Sequence, residues 1–249
     1  MSAVLKRVRW WVLLLAALAS GAATFSLGRW QLARASEKQA LAAAIAARQQ
    51  QAPLAGRSLA GPMSAERAAE LMHRPVELRG RWLVDRTVYL DNRPMQGQTG
   101  FYVATPLRLT EPGAPDAVVL VLRGWVPRNF LQRDALPSIQ TATGEVVVSG
   151  RIAERLPRLY ALGQEERGTI RQNLDLDAYR AETGLPLSGV TVWQTGASAD
   201  GLRRDWPAPD SGVDKHRGYA LQWFGLCALI AILFLWFQVV RPLQRSTRT

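Results

Sequence analysis

The amino-acid sequence predicts an α+β membrane protein, in which a two-helix transmembrane hairpin flanks a mostly antiparallel, β-rich exported domain. That domain reads as a sheet or partly closed barrel with a few short helices. Three observations lead there. Two charge-free apolar runs stand near the two ends of the 249-residue chain, within residues 10–28 and 218–240. The short stretches outside them are basic and hold no acid. Between them, from Pro75 onward, short runs of β-branched and aromatic residues alternate with turn-forming residues.

The first run, Trp10 to Leu27, rises about 1.5 Å per residue as a helix and crosses most of a hydrocarbon layer roughly 30 Å thick. The second, Tyr219 to Val240, is richer in large apolar residues. In lipid a helix satisfies its own backbone hydrogen bonds, so each run reads as a span. Lys6, Arg7 and Arg9 precede the first; Arg241, Arg245 and Arg248 follow the second. By the positive-inside rule both ends are cytoplasmic. The expected organisation is a cytoplasmic tail (1–9), a first span (10–28), a periplasmic domain (29–217), a second span (218–240) and a second tail (241–249), in a bacterial inner membrane. Trp10, Trp11, Trp30, Trp223 and Trp236 fall near span ends, where interfacial aromatics belong. The rival reading is a cleaved signal peptide with Ala17-Leu18-Ala19 as its cleavage site. Against it, the apolar run continues through Phe25 and Leu27.

The net charge of +11 and isoelectric point near 10.9 raise nucleic acid as a partner. Six of the basic residues are the tail charges, and residues 29–217 carry the remaining 25 against 20 acids, dispersed rather than gathered in a stripe. Nucleic acid is therefore excluded as the expected partner. The one cysteine, Cys227, lies in the second run, so the exported domain is expected to hold no disulfide or cysteine cluster. Its roughly 190 residues are enough for an ordinary hydrophobic core.

Residues 29–50 continue the first run as an Ala-rich helical pattern. Gln49 to Pro62 reads as a linker with Pro53, Gly56, Gly61 and Pro62 as breakers. A short helix follows, with Ser64 as N-cap and Glu66 in its first turn; His73 is placed within it. Strands are expected at Val76–Leu83, Thr87–Asp91, Gly100–Leu109, Ala117–Trp125, Glu145–Ile152 and Val190–Gln194. Asn92-Arg93-Pro94 and Glu111-Pro112-Gly113 are the clearest breaks. Asp175–Thr183, ended by Gly184, is a short helix.

No enzyme is expected. His73 and His216 are the only histidines, and neither GxSxG, a P-loop nor HExxH occurs. The candidate site is the segment Asp214 to Phe224 entering the second run. As a helix it brings His216, Tyr219 or Ala220, Trp223 and Cys227 to one face. An ionisable residue at a membrane boundary facing a partner helix is a functional candidate, and it is equally an interface marker beside Lys215 and Arg217. Ala16, Ala17, Ala19, Ser20, Gly21, Ala22 and Ala23 make the first run small-residue-rich. That composition suits close helix packing, and it also leaves room for a flat hydrophobic ligand. Imidazole is a common axial ligand of haem iron. Arg29, Arg34, Lys215 and Arg217 lie at the matching level to hold propionates, or to anchor in the interface.

Several stretches, in order, resemble the surfeit locus protein 1 family of cytochrome c oxidase assembly factors. They are Gly28-Arg29-Trp30-Gln31, Pro75 through Trp82, Tyr89 through Arg93, Gly100 through Val103 with Thr105-Pro106-Leu107, Arg123 through Pro127, and His216 through Phe224. The resemblance covers almost the whole chain. It implies a non-enzymatic carrier that binds haem a at the membrane and aids its insertion into the oxidase catalytic subunit. His216 matches the family histidine implicated as haem ligand, with Tyr219, Trp223 and Arg217 beside it. The implied partners are the catalytic subunit, the haem a synthesis enzymes and membrane lipid. Two stretches depart from the family pattern: Asp214-Lys215 stands where many members show Asn just before that histidine, and Leu122 replaces an Asn commonly seen before Arg-Gly-Trp. A periplasmic scaffold anchored in the membrane, without haem, is the alternative. Gly124-Trp125 and Asn92-Arg93 fit a partner surface as well as they fit strand ends.

Overall fold

Hydrophobic alternation from Pro75 onward forces these segments into strands that bury one face or both. A computed structural model describes residues 3–61, 63–114, 116–129, 136–153, 156, 168–197, 200–206 and 212–246. Of the positions named above, Pro62 and Arg248 lie outside the described residues. The chain divides into two units, Ile45–Ala208 and a second made of Met1–Ala44 with Pro209–Thr249.

The first unit holds eight strands, β1 (Leu54–Ala55), β2 (Pro75–Trp82), β3 (Val88–Met95), β4 (Gln98–Leu109), β5 (Val118–Pro127), β6 (Glu145–Ala153), β7 (Ile170–Arg171) and β8 (Leu187–Gln194). Their order is β1-β2-β6-β8-β5-β4-β3-β7, and β2 also pairs with β4. That pairing returns the sheet on itself, so β2, β6, β8, β5 and β4 form a barrel-like ring. β4 is long enough for its outer edge to be shared, by β3 near its start and β2 near its end. The pairings are antiparallel except β5–β8 and the two-residue contacts of β1 and β7.

Alternate residues of the ring (Val76 and Leu78, Leu107 and Leu109, Val119 and Val121, Val148 and Ile152, Val190 and Val192) fill its interior. The helix α2 (Ala65–Leu71) adds Ala68 and Leu71 to that core. Ser64 caps α2 by accepting from the Arg67 N–H at 3.2 Å. The opposite faces of β3, β4 and β5 carry a second core that receives Tyr179 of α3 (Leu176–Thr183). Val118–Leu122 of β5 is therefore covered on both sides and reads as an unbroken apolar run. α3 begins on Asp175, whose carboxylate accepts from the N–H groups of Asp177 and Ala178, and ends at left-handed Gly184.

Three expectations need correction. Asn92-Arg93-Pro94 does not end a strand; β3 runs through it to Met95 with one extra residue bulged between Leu90 and Arg93. Asn92 takes a φ of 59° there, a conformation its short polar side chain tolerates. The chain turns instead at Gln96-Gly97, both at positive φ, the two-residue hairpin geometry that matches strand twist. The 49–62 linker contains β1 and a single 3₁₀ turn, Gly56–Leu59. Glu111 explains that order: its carboxylate accepts from the backbone N–H groups of Gly56, Arg57 and Arg79 at 3.0–3.1 Å. Finally, His73 lies beyond the end of α2, at φ 66°, its N–H donating to the Ile152 carbonyl.

Burial, then Arg151 and Arg48, holds the His73 imidazole below its ordinary range. A falling pH therefore protonates the unfolded chain first. The stability tied to this group is present above the unfolded value of about 6.5 and declines as pH falls below it. Urea unfolding of the full chain at about pH 7 and about pH 5 is expected to show that decline. His73→Asn, which accepts the same backbone conformation, is expected to shrink it.

Candidate functional site

The second unit is built on two long helices, α1 (Ala3–Gln49) and α4 (Val213–Leu235). α4 continues through a π turn, Trp236–Val240, into α5 (Arg241–Ser246). Both helices are long and apolar enough to cross a membrane.

Burial is confined to one stripe on each. On α1 it runs Leu14, Ala17, Gly21, Thr24, Gly28, Gln31, Ala35, Lys38 and Ile45; on α4 it runs Val213, His216, Ala220, Trp223, Cys227, Ile230 and Phe234, with Phe224 beside it. Apart from the last step on α1, the steps alternate three and four, the seven-residue repeat of helices that pack along a seam. Side-chain contacts join the stripes in opposite order along the two helices. Trp10 lies 6.4 Å from Phe234, the Cys227 thiol donates to the Gly21 carbonyl at 3.5 Å, and Phe25 meets Phe224 edge-on at 5.6 Å. The α1 stripe is mostly small residues, and at Gly28 a neighbouring side chain occupies the space a larger one would need. A Cβ on Gly28 would fall 2.7 Å from the Phe224 ring.

Next along the seam, His216 Nδ1 lies 2.6 Å from the Gln31 amide oxygen. Arg217, one residue on, is exposed and donates to the Gln39 amide oxygen at 3.1 Å. Trp223 is half-buried on the same stripe as His216, whereas Tyr219 is 54% exposed and lies off it. Arg34 is exposed and held by Glu37 at 2.7 Å; Arg29 and Lys215 are also exposed. The structure thus brings His216 and Trp223 onto one stripe with Gln31 opposite, and sets Tyr219 and Arg217 outside it. Gln31 had no role from sequence alone. The available signal was its place in a repeat of small and polar residues running from Gly21 through Ala35.

The first unit contributes no comparable cluster: among the described residues no three His, Cys, Asp or Glu side chains gather as metal ligands. Several of its motif residues are interior, among them Arg93, Arg123, Gly124 and Trp125. β5 bulges at Arg123, since Val103 pairs with Gly124 while Ala104 pairs with Leu122. The extra residue turns Leu122 and Trp125, three positions apart, into one core. Trp125 is fully buried, its indole N–H donating to the Arg93 carbonyl at 2.8 Å. Gly124 lets the Leu202–Arg203 segment cross, because a Cβ there would sit 2.6 Å from that of Leu202.

Most of the chain is matched by known proteins. The SURF1 family model covers residues 18–228. This chain belongs to the SURF1 family. Among its relatives is a SURF1-like protein of Rickettsia felis, 26% identical over 84% of this chain and 89% of that protein. A SURF1-like protein of Drosophila melanogaster is 29% identical over 93% of this chain and 77% of its own length. The Surfeit locus protein 1 of Rattus norvegicus is 27% identical over 93% and 75%. The SURF1 match takes in most of α1 and α4 as well as the barrel-like unit, so the Gln31–His216 pair lies inside the matched region.

Proposed function

We propose that this SURF1-family chain is a membrane-embedded assembly factor for cytochrome c oxidase, the role its family resemblance implies. In this reading α1 and α4 form a transmembrane hairpin, both chain ends are cytoplasmic in a bacterial inner membrane, and the barrel-like unit is periplasmic. Leu15, Leu18, Leu221 and Ile232 are each at least 60% exposed on these helices. Apolar surface on every side suits lipid rather than water. His216 offers its imidazole to the iron of haem a, held as cargo for the oxidase catalytic subunit, with Trp223, Tyr219 and Arg217 nearby. The donor set fits: a neutral imidazole with one ring nitrogen hydrogen-bonded keeps the other for a metal. The haem a synthesis enzymes are the natural donors of such cargo, and nucleic acid is not a partner.

The observation that carries this reading is the meeting of Gln31 and His216 on two apolar helices. Protein co-expressed with haem a synthesis enzymes and purified in detergent is expected to show a haem absorbance band. His216→Ala is expected to lose or shift it. Haem-free wild-type protein, with normal oxidase haem content in the His216→Ala strain, would refute the carrier role. The same hydrogen bond also suits a scaffold in which His216 ties the helices. That reading predicts co-purification with oxidase subunits unaffected by His216→Ala, and no haem band.

A further inference from the structure

We infer that Gln31 is a positioning residue that selects which imidazole nitrogen of His216 is offered to iron. The inference rests on the haem-binding reading of His216 given above. A carbonyl oxygen only accepts, so the Gln31 oxygen 2.6 Å from Nδ1 requires Nδ1 to carry the proton. In the neutral ring the lone pair then sits on Nε2. An acceptor behind a ligating imidazole also fixes the ring's rotation.

The surroundings hold this arrangement in place. Gln31 and His216 both belong to the facing stripes, so neither side chain must leave its helix to reach the other. Gly28, one turn before Gln31, is closed over by Phe224, two turns after His216, which locks the register. Two of the nearby cations have acceptors of their own, Arg34 on Glu37 and Arg217 on Gln39.

The test reads the tautomer first, without haem. With only two histidines in the chain, isotope-labelled imidazoles can be assigned directly by NMR in detergent. Wild type is expected to show the proton on Nδ1, and Gln31→Leu to lose that preference. Titration with ferric protohaem is then expected to weaken roughly 10–100-fold in Gln31→Leu. Gln31→Glu keeps an oxygen acceptor at the same reach. It is expected to restore the tautomer and the affinity, and to lower the reduction potential of the bound haem. A proton on Nε2 in wild type overturns the inference. So does unchanged haem affinity in Gln31→Leu when His216→Ala has lost binding, an outcome that leaves the haem reading standing. If His216→Ala itself keeps the haem and its spectrum, both readings fall.

Discussion

Trp125→Ala is expected to destabilise the barrel-like unit by about 3–5 kcal/mol, the range for truncating a fully buried aromatic side chain. The ring has no exposed surface and packs in the core shared by β3, β4 and β5. Its surroundings are shaped for it. A Cβ on Gly100 would lie 2.2 Å from the Val126 carbonyl oxygen and 2.6 Å from the Trp125 ring. Truncation leaves a cavity and removes the donor to the Arg93 carbonyl, which adds the cost of an unmet acceptor. Since domain stabilities are commonly about 5–15 kcal/mol, the loss takes a large share of the total. Urea unfolding of the detergent-solubilised chain measures it, and Trp125→Phe, which refills part of the space without the N–H, is expected to fall between. A midpoint for Trp125→Ala equal to that of wild type would refute the assignment.

Asp200→Asn is expected to cost a similar amount, about 3–5 kcal/mol, for an electrostatic reason. Two arginines converge on this carboxylate: Arg123 at 3.1 Å and Arg204 at 2.7 Å, with side chains only 3% and 6% exposed. Burial pushes the Arg123 guanidinium below its usual range, and Asp200 is the main group opposing that. Neutralising the carboxylate leaves two buried cations facing each other. Arg123 would retain Thr141, the Gln140 carbonyl and the Trp82 face, none of which carries opposing charge. A double-mutant cycle of Asp200→Asn with Arg123→Gln isolates the pair: a coupling above about 0.5 kcal/mol supports it, and additive effects refute it.

These two residues illustrate what reading the chain as text misses. Arg123-Gly124-Trp125 is a visible motif that fits a partner surface as readily as a strand end. The structure makes it interior, because a bulge at Arg123 rotates the following residues by one position. A bulge depends on which strand lies alongside, and a run in which every residue is apolar or buried gives no alternation to reveal it. Asp200 has no signal at all, being one acid among 20. The misplaced break at Asn92-Arg93-Pro94 has the same cause. Turn-forming residues also build bulges, and only pairing with β4 decides between the two.

What the sequence by itself determined is the set of features that depend on neighbours in the chain. These are two apolar runs with basic flanks, the cap at Ser64, the helix stop at Gly184, and most strand positions. The order of its motifs determined the family. Tertiary structure alone decided the closure of the ring through β2 and β4, and the partner of His216. Gln31 lies 185 residues away, and nothing local links the two. Their meeting depends on the register of two helices, set where Gly28 admits Phe224. The candidate histidine was therefore legible in the sequence, and the amide that orients it was not.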